Sequence, residues 1–142
     1  MRVENLNLKP QVKERPSMII FKHSGNFKRA ENFLTGAQKL NIQHILEMYA
    51  RQGVLVLASA TPQDTGLTAN SWDYDIKVTK NGYSINWTNS NENEGIPIAI
   101  LIQYGHGTSA GAFIEGRDFI NPAIKPVLDA IAESLWKEIS KL

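Results

Sequence analysis

Between Trp72 and Thr88 the chain alternates apolar and polar residues with a period of two. Trp72, Tyr74, Ile76 and Val78 interleave with Asp73, Asp75, Lys77 and Thr79; Tyr83, Ile85 and Trp87 then interleave with Ser84, Asn86 and Thr88. Asn81-Gly82, which suits the two positive-φ positions of a type I′ turn, lies between the runs. The pattern predicts a β-hairpin with one apolar face buried and one polar face wet.

On either side the period lengthens to that of a helix. From about Lys39 to Ala60, Leu40, Ile42, Ile45, Leu46 and Tyr49 mark one face, and Val56, Leu57 and Ala60 extend it. Gly53 weakens such a helix by about 1 kcal/mol relative to alanine, so a kink or a tight contact is expected there. Pro62 closes the helix by pushing the preceding residue out of the α region. At the other end, Asn121-Pro122 reads as N-cap and N1 of a terminal helix reaching almost to Leu142. Its stripe is Ile124, Val127, Leu128, Ile131, Leu135, Ile139 and Leu142, with Trp136 flanking it.

The remaining segments are less regular. Residues 1–17, with Pro10 and Pro16, predict an extended lead-in, and MIIFK (18–22) a short strand. Ser24-Gly25-Asn26 offers capping chemistry for a short helix carrying Phe27, Ala30, Phe33 and Leu34, which Thr35-Gly36 ends. NSNENEG (89–95) reads as a polar loop. IPIAILIQY (96–104) is apolar enough for a helix with Pro97 at N1 and Gly105 at C′, or for a buried strand. A Gly-rich loop, YGHGTSAGAFIEGRD (104–118), follows. Together these elements predict one α+β domain over 1–142. Its antiparallel β-sheet is built around the hairpin and packed by a long central helix and a C-terminal helix.

Composition adds limits more than direction. At 142 residues, 42% apolar and 20% charged, the chain can bury a core of its own. With no cysteine, disulfides and thiolate metal sites are excluded; His23, His44 and His106 are too scattered to suggest clustered ligands, so no metal or cofactor is expected. MRVENLNLKP lacks the apolar core of a signal peptide and no run reaches membrane-spanning length, so the expected setting is cytoplasmic and not a membrane. The net charge of +1 hides an asymmetry. Residues 1–40 carry eight Lys/Arg against three Glu, leaving the rest of the chain net acidic. That basic third suits nucleic acid, an acidic partner surface, or simply a solvated face.

Candidate chemistry is sparse. Asp64-Thr65-Gly66 matches the triplet of aspartic proteases, which a homodimer could use by contributing one aspartate from each chain. That triplet normally follows a buried strand, whereas here it follows Thr61-Pro62-Gln63 and a helix; the plain reading is a turn leading to the hairpin. His106 has only Glu115 and Asp118 as nearby acidic candidates to orient it, and otherwise serves a local or inter-subunit hydrogen bond. Ser109 has no nucleophile elbow, and GHGTSAG has neither the lysine of a P-loop nor the spacing of GxGxxG. No catalytic residue is expected. A loop of about fourteen residues carrying Phe113 and Ile114 is instead a surface for a neighbouring subunit.

Three ordered blocks bear on this. TPQDTGLTANSW (61–72), IAILIQYGHGT (98–108) and GRDFINPAI (116–124), separated by the hairpin and the loop, resemble the phage tail-component family. The matching positions are Thr61, Pro62, Asp64, Thr65, Gly66, Ser71 and Trp72; Tyr104, Gly105, Gly107 and Thr108; and Phe119, Pro122 and Ala123. Leu67-Thr68 and Gln103-Tyr104 depart from the family's usual residues. The family comprises small neck proteins of long-tailed phages, or minor capsid proteins, associated with tail completion or head–tail joining. The resemblance implies a non-enzymatic virion protein, made in the host cytoplasm and assembling as a hexameric ring on the DNA channel. Its implied partners are copies of itself, head-closure or connector proteins, and the tail terminator or tail tube. Genomic DNA would pass without sequence-specific binding, as suits a near-neutral chain.

The interface expected from this reading is Tyr104, His106, Thr108, Phe113, Ile114, Arg117 and Asp118. Pro62, Asp64, Thr65, Gly66, Trp72, Asn81, Gly82 and Pro122 are structural. Alternatives are a tail-terminator ring protein and a small homodimeric protease using Asp64-Thr65-Gly66.

Overall fold

A computed structural model describes residues 2–4, 19–23, 36–63, 66–79 and 82–140. Four strands form an antiparallel sheet: β1 (Arg2–Glu4), β2 (Ile19–His23), β3 (Trp72–Thr79) and β4 (Gly82–Asn89), in the order β1-β2-β4-β3. The expected hairpin is its centre and one edge. Tyr74 pairs with Trp87, Ile76 with Ile85 and Val78 with Tyr83, so the alternating apolar residues share one face. Thr79 pairs with Gly82, so Gly82 opens β4 as a paired residue and is not at the centre of the turn, as Asn81-Gly82 had suggested. Asn81 lies outside the described residues.

β2 supplies the long-range pairing that local patterning does not show. It lies against β4 with Ile19 opposite Trp87 and His23 opposite Tyr83. Within the expected lead-in, Arg2–Glu4 is extended and pairs with β2. The rest of the lead-in and the short helix expected around Phe27–Leu34 lie outside the described residues, as does most of the basic N-terminal third.

The long helix α1 (Gly36–Ala60) packs on the apolar face of the sheet. Ile42, Leu46, Ala50 and Leu57 are its fully buried line. Gly53 belongs to the same line, and the reason it is glycine lies across the interface. A Cβ at position 53 would stand 2.5 Å from the indole Nε1 of Trp87 and 2.7 Å from its ring. The same Nε1 donates a hydrogen bond of 2.9 Å to the carbonyl of Ala50. The Nε1 edge of the ring thus lies against bare helix backbone, and the expected tight contact is with a strand residue.

After α1 the chain turns through Thr61 and Pro62. A 3₁₀ turn (Ala69–Ser71) leads to β3. Beyond β4, β5 (Glu92–Asn93), within the expected polar loop, pairs with β6 (Ile96–Pro97) just after it in a two-residue ladder. The short helix α2 (Ile98–Tyr104) settles the choice between helix and strand for the apolar run, with Pro97 as its N-cap residue, one position earlier than expected.

The terminal helix α3 (Ile120–Ile139) packs on α1 through Ile124, Val127, Leu128, Ile131 and Leu135. Its polar ties to α1 include Tyr49 Oη with Ser134 Oγ at 3.0 Å, and Asn41 Nδ2 donating to Glu138 Oε1 at 3.3 Å. The buried stripe ends on Glu138, while Trp136 is exposed. Leu142 lies outside the described residues. The result is the α+β domain expected from the pattern.

Gly53→Ala tests the Trp87 seat. Helix propensity alone favours the substitution by about 1 kcal/mol, but overpacking a dense core costs about 1–3 kcal/mol. The expected outcome is a net loss of stability in urea unfolding, with exposed Gln52→Ala as the neutral control. A stabilised Gly53→Ala chain would show that the indole does not rest there.

Candidate functional site

The Gly-rich segment is an ordered β-hairpin and not the irregular loop expected. β7 (Gly105–Gly107) pairs antiparallel with β8 (Phe113–Glu115), placing His106 opposite Ile114 and Gly107 opposite Phe113. Thr108 closes the turn. Its N–H donates to the Ala112 carbonyl at 2.8 Å, its hydroxyl receives the Ala112 N–H at 3.2 Å, and its carbonyl receives the Gly111 N–H at 3.1 Å. Thr108 therefore shapes the arm from within.

Two glycines let the arm's legs meet. A Cβ on Gly105 would strike the Ile114 carbonyl oxygen and lie 2.9 Å from the Phe113 ring. One on Gly116 would lie 2.5 Å from the carbonyl oxygen of Gln103. Gly105 also holds a φ of 81°, which lets it leave α2 while its N–H bonds to the Leu101 carbonyl. Backbone approach thus accounts for Gly105 and Gly116, while Gly111 has a φ of 85° in the turn.

The base of the arm is fastened by one buried side chain. Gln103, 5% exposed at the end of α2, accepts through Oε1 from the N–H groups of Phe119 and Ile120, both at 3.0 Å. Its Nε2 donates to Asp118 Oδ1 at 2.7 Å, and that oxygen also lies 3.4 Å from the Asn121 N–H. The Arg117 N–H donates to the Ile102 carbonyl at 2.8 Å. A helix leaves its first four N–H groups without intrahelical acceptors. At α3 three are met by Gln103 and Asp118, and the fourth belongs to Pro122, which has none. This explains why α3 starts at Ile120 and not with Asn121 as N-cap and Pro122 as N1: a side chain distant in sequence supplies the cap.

Of the expected interface residues, Asp118 and Thr108 are engaged inside the chain, and Arg117 contributes its backbone to the arm's base. Tyr104, Phe113 and Ile114 are exposed, the last two at 65% and 51%. Partial burial, and next the Asp118 carboxylate, push the Tyr104 hydroxyl above its ordinary range. His106 is half-buried with Nδ1 shielded and unbonded among the described residues. Strand alternation places Glu115 on the face opposite His106, and Asp118 is held by Gln103. Glu115 thus faces away from the imidazole and Asp118 is engaged by Gln103, so neither acid orients it.

The TPQDTG block forms a neighbouring corner. Thr61 Oγ1 donates to the Leu57 carbonyl at 2.6 Å and accepts from the Trp72 indole at 2.9 Å, so one hydroxyl joins the end of α1 to the start of β3. Buried Asn89 donates to the Thr68 carbonyl at 2.8 Å, Asn91 donates to Thr68 Oγ1 at 2.9 Å, and the Asn91 carbonyl receives the Ile98 N–H at 2.8 Å. Asp64 and Thr65 lie outside the described residues; Gly66 has a φ of 81° at the start of the following turn. A cleft of about 460 Å³ opens beside this corner, lined by Pro62, Gln63, Thr68, Asn91, Ile98 and Ile102 among others. Its described walls carry amides, hydroxyls and alkyl groups, and none titrates near neutral pH. Among the described residues no group of three or more His, Asp or Glu could hold a metal ion.

Comparison with known proteins matches no family model, no curated protein and no solved structure. The site is defined by its own geometry: a small α+β body presenting a stiff apolar arm.

Gln103→Leu, which keeps bulk but removes the shared acceptor, is expected to cost about 1–3 kcal/mol, the usual penalty for buried donors left unmet. Loss of protection at the Phe119 and Ile120 amides in hydrogen exchange is the specific readout. Unchanged protection would mean that another group caps α3.

Proposed function

We propose that this chain is a structural assembly subunit of a phage neck or tail, acting in tail completion or head–tail joining as one copy of a ring around the DNA channel. The observation that carries the assembly reading is the arm. Phe113 and Ile114 lie on a paired, internally hydrogen-bonded hairpin whose roots are tied to the body by buried Gln103. Apolar side chains on an ordered projection remain exposed to water unless a partner covers them. Preorganisation also lowers the entropy cost of docking.

The phage part of the reading rests on the resemblance of the three ordered blocks. Two hydrogen bonds fall within or between those blocks. Thr61 and Trp72, both in the first block, are joined by a hydrogen bond; Gln103 in the second grips Phe119 in the third. In this role the chain meets head-closure or connector proteins on one side and a terminator or tube protein on the other. It lets DNA pass without reading it, and a net charge of +1 avoids a strong electrostatic grip on the genome.

Native mass spectrometry across a concentration series is expected to show ring-sized multiples of the 15.9 kDa chain. The double variant Phe113→Ser/Ile114→Ser should keep its unfolding free energy within about 0.5 kcal/mol, as is usual for surface positions, yet remain monomeric and fail to support joining of heads and tails. A wild-type chain that stays monomeric throughout, or a double variant that assembles normally, would overturn the proposal.

A further inference from the structure

The arm has a counterpart on the same molecule. The outer face of α1 carries Leu40, Met48 and Leu55, all exposed, opposite the line buried against the sheet. Positions 40, 44, 48, 51 and 55 fall on one side of a helix. Between them His44, Glu47, Met48, Arg51, Gln52 and Leu55 line a shallow groove of about 490 Å³. We infer that this groove receives the β7–β8 arm of a second copy of the chain. The inference rests on the ring reading and names the surface that the arm grips.

Spacing and charge both favour this occupant. Phe113 and Glu115 project from the same side of β8, about 6.6 Å apart along the strand. Their partners across the ladder are Gly107 and Gly105, so no β7 side chain crowds that face. On α1, Leu55 and Arg51 are one helical turn apart, about 6 Å along the axis. Phe113 can therefore lie against Leu55 while Glu115 meets Arg51.

The guanidinium is already aimed. Its Nε donates to Tyr74 Oη at 3.3 Å and one terminal nitrogen to Glu47 at 2.9 Å, leaving further N–H groups for a second carboxylate. The bond to Tyr74, followed by Glu47, also raises the pKa of Arg51 and keeps it cationic. Among the described residues Glu115 makes no ion pair.

Because arm and groove are different surfaces of one chain, their contact allows head-to-tail assembly, which closes into a ring where the rotation between copies permits. A contact of arm with arm would instead stop at a dimer.

The absence of cysteine makes the test clean. The variant Phe113→Cys/Leu55→Cys, which keeps Ile114 and the Glu115–Arg51 pair, is expected to give a ladder of disulfide-linked chains when mildly oxidised at several-fold higher concentration than the wild type needs to form multimers. Peptide mapping should place each bond between positions 113 and 55. Each single variant should give no ladder. As a second measurement, Glu115→Arg should shift assembly to several-fold higher concentration, and adding Arg51→Glu should restore it.

Multimers with no link between 113 and 55, or with 113–113 links only, would overturn the docking and leave the ring reading standing. A 113–55 bond formed within one chain would overturn it too. A wild-type chain that never assembles would overturn both, which separates the two failures.

Discussion

The fold depends on one indole lying where a side chain is missing. Trp87 occupies the central strand of the sheet, pairs with Ile19 on one side and Tyr74 on the other, and presses its ring onto α1 at Gly53. Its N–H satisfies a carbonyl that already belongs to the helix. The contact sets how closely the helix approaches the sheet, because methylene-sized changes are felt in a close-packed interior. It also fixes the helix's position along the sheet, since only position 53 on the buried line offers bare backbone. With α1 so placed, its adjoining flank is available to α3, and the core becomes continuous from Ile85 to Ile131.

Buried polar groups then do what apolar packing cannot: they join segments at defined atoms. Thr61 ties the end of α1 to Trp72; Asn89 and Asn91 tie the hairpin's end to the Thr68 turn and to α2; Gln103 ties α2 to α3. Thr61, Asn89 and Gln103 are buried and Asn91 is partly so; backbone or side-chain partners meet their polar atoms, so burial carries little penalty. The burden falls on amides and hydroxyls. Ion pairs such as Lys125–Asp129 and Lys137–Glu133 lie on exposed helix surface, where they add little.

How far the sequence could be read follows the range of the interactions. The hairpin was legible because a period of two is written locally in Trp72–Thr88, and both long helices because their stripes repeat every three to four residues. The pairing of β2 with β4 was not, since it depends on a partner sixty or more positions away. The start of α3 was misplaced because two of its first N–H groups are met by Gln103, distant in sequence, and only the Asn121 N–H by its neighbour Asp118. A signal was present: Gln103 is the single amide in the apolar run IPIAILIQY. At the candidate site, Phe113 and Ile114 could be recognised as apolar residues in a polar setting. The glycines around them resembled a loop because the ladder they permit is visible only when Gly105 and Gly116 face their opposing backbone.

Gln103 also decides where a mechanical load would travel. The arm is rooted at the end of α2 and the first residues of α3, and the ties described at its base run between those two helices. A tug on Phe113 therefore reaches the opening turn of α3 before it reaches the strands. The Trp87 seat on α1 lies outside that set of ties.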